Sequence, residues 1–464
     1  MPRLSALEQG RSIGMIFAAS LCTCTAAQVD EPEWALLEAP LLRDARQLTF
    51  DTQFVKAGEA YFSPDGRWVI FQAVPVPPKG DAPSPHYGMY LARVQFNSSG
   101  EITGLGHPVR ICPEGSASTC GWFHPTQPGV VIFGSTLRPP EHADAPGYQR
   151  AGSRYAWSFP VEMEICIAEF DPELENPAMR SSPRPMFERP GYDAECSFSP
   201  DGRHVLYVNV DPTKVDKPDA DIWVFDVTTG VHTPLVTAEG YDGGPFFSPD
   251  GRMICYRSDR DGNDLLQLFV AELKFDADGA IIGISRETKI TDNQHVNWAP
   301  YWDPSGRYLL YTTSHVGHHN YELFAVDLPL ANEATAAAIQ PRKRRITFAE
   351  GFDGLAVFSP DGNYLMWTSQ RTRDGGRGSS QLWVASYHPD TEPGEWIGGL
   401  TAIQAEEVIR RMIAHRQDEE AAMLALVVVE SKDGEAWIVK HAHVGGAHRY
   451  RVTNDGHVEP IGAE

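Results

Sequence analysis

Ser63-Pro64-Asp65-Gly66 recurs along this chain as Ser199-Pro200-Asp201-Gly202, Ser248-Pro249-Asp250-Gly251 and Ser359-Pro360-Asp361-Gly362. Two degenerate copies complete the series, Asp303-Pro304-Ser305-Gly306 and His124-Pro125-Thr126-Gln127. Each copy follows a short aromatic segment and precedes a β-rich one, as in Tyr61-Phe62 and then Arg67-Trp68-Val69-Ile70-Phe71. Proline sets φ for the second residue of a turn. Asp-Gly supplies the hydrogen-bonding and positive-φ residues that close a hairpin. The six copies start at 63, 124, 199, 248, 303 and 359.

The residues between the turns carry further strand signals. Tyr308-Leu309-Leu310-Tyr311-Thr312-Thr313 follows one turn directly. A polar loop and a third strand come next, as at Gln267-Leu268-Phe269-Val270, Glu322-Leu323-Phe324-Ala325 and Gln381-Leu382-Trp383-Val384. A fourth segment ends in Ile-Thr at Ile290-Thr291 and Ile346-Thr347. A β-rich unit of four strands, repeated six times, reads as the blades of a propeller. These residues resemble the TolB-like propeller repeats, a branch of the WD-type propellers, over roughly residues 45 to 387. The resemblance implies a six-bladed disc and no single activity, because one fold hosts many.

The expected fold class is an all-β six-bladed propeller with a small C-terminal α+β appendix. The sixth blade supplies only three strands of its own. Arg46-Gln47-Leu48-Thr49-Phe50 has the Leu-Thr ending of an outer strand and can return to complete it, which would leave no open edge. Trp396-Ile397-Gly398-Gly399-Leu400-Thr401 competes for that place. Beyond it, 402–417 has helical spacing, and β segments follow at 424–430, 435–440 and 449–452. The organisation read from the chain is a leader at 1–27, a linker at 28–44, the propeller at 45–390 and the appendix at 391–464. TolB proteins carry their additional α/β domain before the propeller, whereas here the added piece follows it.

The 464 residues carry a formal net charge of -23, with 62 acidic against 39 basic side chains, which argues against a nucleic-acid backbone as partner. Arg3 and Arg11 precede an apolar, small-residue run from Ile13 to Ala27 that ends in Thr25-Ala26-Ala27, the pattern of an export signal. The expected location is the periplasm or the extracellular space, with lipid attachment at Cys24 as an option and no transmembrane segment. Of the cysteines beyond the leader, Cys112 and Cys120 lie close enough in sequence to close a disulfide ring.

No Gly-x-Ser-x-Gly elbow, Walker loop, dinucleotide fingerprint or His-Glu-x-x-His occurs, and no cofactor or metal is expected. His315, His318 and His319 cluster in a polar hairpin loop. The site argument is therefore topological. The short turns mark one face of the disc. The long loops 75–87, 137–162 and 211–219 and the blade-to-blade links mark the other. In those links Gly191-Tyr192-Asp193, Gly240-Tyr241-Asp242 and Gly351-Phe352-Asp353 align, with His295-Val296-Asn297 in the same place. Asp193, Asp242, Asn297 and Asp353 would then ring the channel mouth, with Glu59 and Glu195 two positions further in. Together with His295 they are the expected ligand-binding residues. The same aspartates could instead cap tight turns through local backbone bonds. The leading expectation is an exported, non-catalytic scaffold that holds a protein, peptide or envelope polymer. The alternative is a propeller hydrolase or lyase using Asp193, Asp242 and His295.

Overall fold

One set of bonds builds the repeated turns. In the first, the Gly66 N–H donates to the Ser63 carbonyl at 2.8 Å. The Ser63 hydroxyl donates to Asp65 at 2.6 Å and accepts the Trp68 N–H at 2.9 Å. Gly66 takes φ 69°, where a β-carbon would be strained. Ser199, Ser248 and Ser359 repeat these bonds. The degenerate copies keep an acceptor at the first position. Asp303 receives the N–H groups of Ser305 and Arg307 at 3.0 and 2.8 Å, and His124 Nδ1 receives those of Thr126 and Gln127 at 3.2 and 3.1 Å.

The computed structural model describes residues 32–39, 41–141, 147–151, 154–158, 160–211, 213, 219–328, 343–388, 426–433, 436–443, 446–453 and 458–463. The leader with Cys22 and Cys24, the competing strand at 396–401 and the helical stretch at 402–417 lie outside them. No helix among the described residues is long and apolar enough to cross a membrane.

Apart from one short helix, the described residues are β-structure, and their sheets are antiparallel. The first sheet comprises Phe54–Phe62, Trp68–Pro75, Gly88–Phe96 and Ile102–Leu105, with Val109–Arg110 also paired to the third strand. The second comprises Ser118–Phe123, Val130–Ser135, Glu164–Glu169 and Arg184–Pro185. The third comprises Tyr192–Phe198, His204–Val210, Ala220–Asp226 and Val231–Val236. The fourth comprises Asp242–Phe247, Met253–Ser258, Gln267–Phe275 and Ile281–Lys289. The fifth comprises Asn297–Trp302, Tyr308–Thr313, Glu322–Asp327 and Lys343–Arg345. The sixth comprises Asp353–Phe358, Tyr364–Arg371, Arg377–Tyr387 and, from the other end of the chain, Leu42–Gln47. Each repeated turn joins the first strand of a sheet to its second.

The core lies between the sheets. Ile132, Phe198 and Tyr207 pack the second sheet on the third, and Leu206, Tyr256 and Phe269 pack the third on the fourth. Cys255, Leu268 and Leu309 continue to the fifth, and Leu310, Leu323 and Trp367 to the sixth. Phe54 and Ala57 of the first sheet share one cluster with Met366 and Leu382 of the sixth and with Phe123 and Phe133 of the second. Central strands buried on both faces explain the apolar runs without alternation.

The Leu-Thr and Ile-Thr endings have a structural cause. The Ile290 N–H donates to the Leu268 carbonyl at 2.7 Å, and the Thr291 hydroxyl accepts the Leu268 N–H at 2.9 Å. Ile346 and Thr347 treat Leu323 in the same way, and Leu48 and Thr49 treat Leu382. The pair ends the outer strand by satisfying both backbone groups of one residue on the third strand. The closing strand was expected at 46–50 but runs over Leu42–Gln47, and Leu48 and Thr49 form its terminal cap. Leu42 is opposite Tyr387 and Gln47 is opposite Trp383. Ahead of it, the short helix Glu33–Glu38 inserts Trp34 and Leu37 into the core cluster of the sixth sheet.

Two other expectations change. The long loop 137–162 contains a hairpin of Gly147–Ala151 and Arg154–Ser158. The tail has four described strands rather than three, Leu426–Asp433, Ala436–His443, Gly446–Thr453 and Val458–Ala463, paired in sequence order. Pro460 and Gly462 disguise the last strand, and their position on the sheet edge makes them tolerable.

Candidate functional site

Every inner strand is interrupted at an equivalent place, and the first has a second shift between Phe54 and Lys56. The pairing register shifts between Gly58 and Ala60, Thr119 and Trp122, Ala194 and Ser197, Gly243 and Phe246, Trp298 and Tyr301, and Gly354 and Val357. At each bulge one residue takes a left-handed backbone: Glu59 (φ 44°), Cys120 (52°), Glu195 (54°), Gly244 (58°), Ala299 (49°) and Leu355 (56°). All six stand four residues before the first residue of their turn. Left-handed backbone in a side-chain-bearing residue costs roughly 1–3 kcal/mol and persists where its surroundings hold it. Here the adjacent sheet helps to hold it. Thr312 accepts the Leu355 N–H and Thr368 accepts the Glu59 N–H, each at 3.1 Å.

The residues two places beyond the bulge meet across the axis. Tyr61, Trp122, Phe246 and Tyr301 come from the first, second, fourth and fifth sheets, and their ring centroids are 4.8 to 6.4 Å apart. This aromatic cluster forms the floor of a polar site on the link side. There the Tyr241 hydroxyl donates to the Glu195 carboxylate at 2.7 and 2.8 Å, and Arg257 Nη2 donates to Glu195 Oε2 at 3.2 Å and to the Tyr241 oxygen at 2.7 Å. The Gly244 N–H adds a 2.6 Å bond to the same carboxylate. A β-carbon on Gly243 would collide with the Tyr241 hydroxyl, and one on Gly244 with the Arg257 guanidinium. Gly244 makes the room that lets an arginine reach the axis, and Gly243 makes room for the tyrosine beside it.

Burial raises the Glu59 carboxyl above its usual value, the Cys120 thiol opposes this as a donor, and the charge of Glu195 adds to it. Burial, then the charges of Glu59 and Glu195, push the Cys120 thiol well up, so it is a protonated donor and not a thiolate. Burial opposes the charge on Arg257, but the acidic groups around it, Glu195 among them, keep it protonated. Three places before Glu59, the half-buried Lys56 stands 4.3 Å over the Tyr87 ring, and burial lowers its pKa.

The expected ring residues have other partners. Asp193, Asp242, Asn297 and Asp353 are buried at the starts of their inner strands. Asn209 donates to Asp193 at 2.8 Å. Asp242 accepts from Arg260 at 3.0 Å and from the Ala238 N–H at 2.9 Å. Asn297 donates to Gln267 and Asn293 and accepts from Thr313. Trp367 and Arg371 donate to Asp353 at 3.0 and 2.8 Å. The aspartates are held by their own sheets and adjoining links, Asn297 also by Gln267 of the preceding sheet, and no bond joins one to another among the described residues. Ala57 and Ser118 occupy the same offset in the first two sheets. His295 lies in its link, its ring 4.5 Å from that of His315. Glu59 and Glu195 are the expected residues that the structure brings together.

Sequence reasoning missed Arg257 and the aromatic floor, and it named Tyr241 only as part of a link and Cys120 only as half of a disulfide. The available signal was the constant offset of four residues before each turn. Glu164 was also missed. Its Oε2 and the Oδ2 of the fully buried Asp193 have no hydrogen-bond partner among the described residues. Burial first, then the charge of Asp193, raises Glu164 to about 7, and burial raises Asp193 to about 6.

Cys112 and Cys120 are separate thiols. Cys112 takes the place of threonine at the end of an outer strand, where its sulfur accepts the Met89 N–H at 3.1 Å. Cys120 sits on an inner strand at the axis. No cluster of three or more His, Cys, Asp or Glu side chains is placed to hold a metal among the described residues.

No family model and no curated protein matches the chain. Solved structures resemble its fold. A TolB candidate from Agrobacterium tumefaciens is 18% identical with a TM-score of 0.41, over 72% of this chain and 90% of that one. TolB from Acinetobacter baumannii is 14% identical with a TM-score of 0.38, over 74% and 66%. An oligogalacturonate lyase from Vibrio parahaemolyticus is 13% identical with a TM-score of 0.39, over 75% and 95%. Likeness at this level concerns the fold and assigns neither ligand nor activity.

Proposed function

We propose that the chain is an exported, non-catalytic scaffold, a six-bladed TolB-like propeller that engages a protein, peptide or envelope polymer on the face with the long loops. The observation that supports this is the axial group of Glu195, Tyr241 and Arg257 above the aromatic floor. A charged and hydrogen-bonding group over packed rings is suited to meeting a polar group of a ligand, and the thiol beside it is protonated rather than activated. The tail at 391–464 is a separate α+β piece in this reading.

The test is photo-crosslinking of the full chain in envelope extract, with the crosslinking residue at 85 in a long loop or at 252 beside a short turn. The reading expects a discrete adduct from position 85 that disappears in Arg257→Gln, and none from 252. Equal labelling from both positions, or adducts indifferent to Arg257→Gln, overturns it.

A second reading, a propeller hydrolase or lyase, draws on Glu164 and Asp193. Neighbouring buried carboxyls with raised pKa values are the kind of groups that general acid–base chemistry uses. Turnover of an envelope polymer that Glu164→Gln abolishes would favour it.

A further inference from the structure

The seam where the first and sixth sheets meet holds a cavity of about 290 Å³ at the outer rim, away from the axial cluster. Its walls come from four places: the closing strand and its cap (Arg46, Gln47, Leu48), the link that follows (Phe50, Gln53), the outer part of the first sheet (Gln95, Thr103, Leu105) and the hairpin loop of the sixth sheet (Arg373). The cavity exists because a strand from one end of the chain is laid against the last sheet, beside the edge of the first.

Its chemistry is unlike that of the surrounding surface. The chain as a whole repels anions at a net charge of -23, and Arg67, Arg203, Arg260 and Arg345 are each bound to carboxylates. Arg46 and Arg373 take part in none of the ion pairs among the described residues, yet both line this recess. The side-chain amides of Gln53 and Gln95 likewise make no hydrogen bond among the described residues, while Gln47 spends only its Nε2, on the Thr49 carbonyl at 2.8 Å. Phe50 exposes 38% of its surface at the same place.

We infer that this seam cavity binds a sugar-sized hydroxylated anion, a pyranose bearing one carboxylate or phosphate. Guanidinium groups recognise the planar carboxylate or the phosphate through paired N–H donors. Side-chain amides both donate and accept, which matches the hydroxyl groups of a sugar. An exposed aromatic ring offers an apolar surface for the C–H face of a pyranose. The volume is at the lower end for small-ligand sites and suits one monosaccharide unit. This site does not depend on the axial group and stands whether or not the proposed scaffold role is correct.

The experiment is titration of the full chain with glucuronate, glucose 6-phosphate and glucose, followed by the side-chain amide NMR signals of Gln53 and Gln95. Arg373→Gln alone and Arg46→Gln/Arg373→Gln are compared with the unaltered protein. The inference expects saturable binding of glucuronate or glucose 6-phosphate with Kd of about 1 mM or tighter. Binding should weaken at least tenfold in the double variant, and glucose should bind at least tenfold more weakly than the anions. The two anions distinguish a sugar acid from a sugar phosphate. Arg46 is on the closing strand, so a melting curve accompanies each variant. The loop variant Arg373→Gln alone should still weaken binding if the double variant fails to fold. No saturable binding of either anion, equal binding of glucose, or unchanged affinity in Arg373→Gln and the double variant overturns the inference.

Discussion

Arg371 holds Glu38 with both ends of its guanidinium group, Nη1 donating to Oε2 at 2.7 Å and Nη2 to Oε1 at 2.9 Å, across 333 residues of sequence. Both side chains are essentially excluded from solvent, and the rings of Trp34 and Trp367 lie 4.3 and 4.9 Å from the guanidinium carbon. Arg371 also donates to Asp353 at 2.8 Å, and Glu38 also accepts the Phe348 N–H at 2.7 Å. This buried network ties the N-terminal helix to the sheet that its following strand completes.

Removing one member strands the others without solvent. Glu38→Met or Arg371→Met should each cost about 3–5 kcal/mol, the range for breaking a buried pair. Replacing Glu38 and Arg371 together by methionine should cost less than the sum, because the double change leaves fewer unpaired charges. Chemical denaturation of the three variants checks this. Strict additivity would show that the pair is not coupled.

The outer-strand caps allow a test of the cysteines. Thr49→Val and Thr347→Val each leave a backbone N–H on the third strand without its acceptor and should destabilise by about 1 kcal/mol. Cys112→Thr should be tolerated at no measurable cost, because it restores the residue used at Thr49, Thr291 and Thr347. Thiol counting on the unfolded, oxidant-exposed protein should show Cys112 and Cys120 unbridged.

Much of the architecture was legible because local chemistry dictates it. Ser-Pro-Asp-Gly forms the same turn wherever it occurs, and the Leu-Thr ending identified the closing strand with an error of only a few residues. The axial group was less legible. Arg257 reaches the axis only because Gly244 clears space for it, as Gly243 does for Tyr241, and spacing alone does not reveal a clearance. Asp193, Asp242 and Asp353 share an offset from their turns, but that offset places them against their own sheets. Their partners Asn209, Arg260 and Arg371 lie on second strands or on the loops that follow them, where no local pattern announces the pairing.

Gly244 gives a direct test of the axial group. Gly244→Ala should cost about 1–3 kcal/mol from its left-handed backbone. It should also displace the Arg257 guanidinium, because the new β-carbon occupies its position. Glu195→Gln should leave the backbone conformation intact while weakening the contact to Arg257. If the axial group receives the ligand, both variants should lose the crosslink from position 85 while retaining a cooperative melting transition. A crosslink that survives Gly244→Ala would place recognition elsewhere on the loop face.

Glu164 and Asp193 impose a pH dependence. Unfolded, these carboxyls ionise near about 4.3 and 3.9. Folded, burial and, for Glu164, the charge of Asp193 raise them to about 7 and about 6, against the Arg189 N–H bonded to Glu164 and the Asn209 amide bonded to Asp193. Between about pH 4 and 7 the folded protein therefore holds more protons than the unfolded chain, and stability falls as pH rises through that window. Below the window both states are protonated and the pair imposes no penalty; above it the penalty is complete. Glu164→Gln removes one titrating group and leaves an oxygen to accept the Arg189 N–H. Its melting temperature should match that of the unaltered protein near pH 4.5 and exceed it by a few degrees at pH 8. The gap should grow from about pH 4.3, the unfolded value, and be complete near the folded value of Glu164 at about 7. The same gap at both pH values would mean that Gln acts through packing, and a lower melting temperature at pH 8 would mean that the ionised carboxylate has a stabilising partner there.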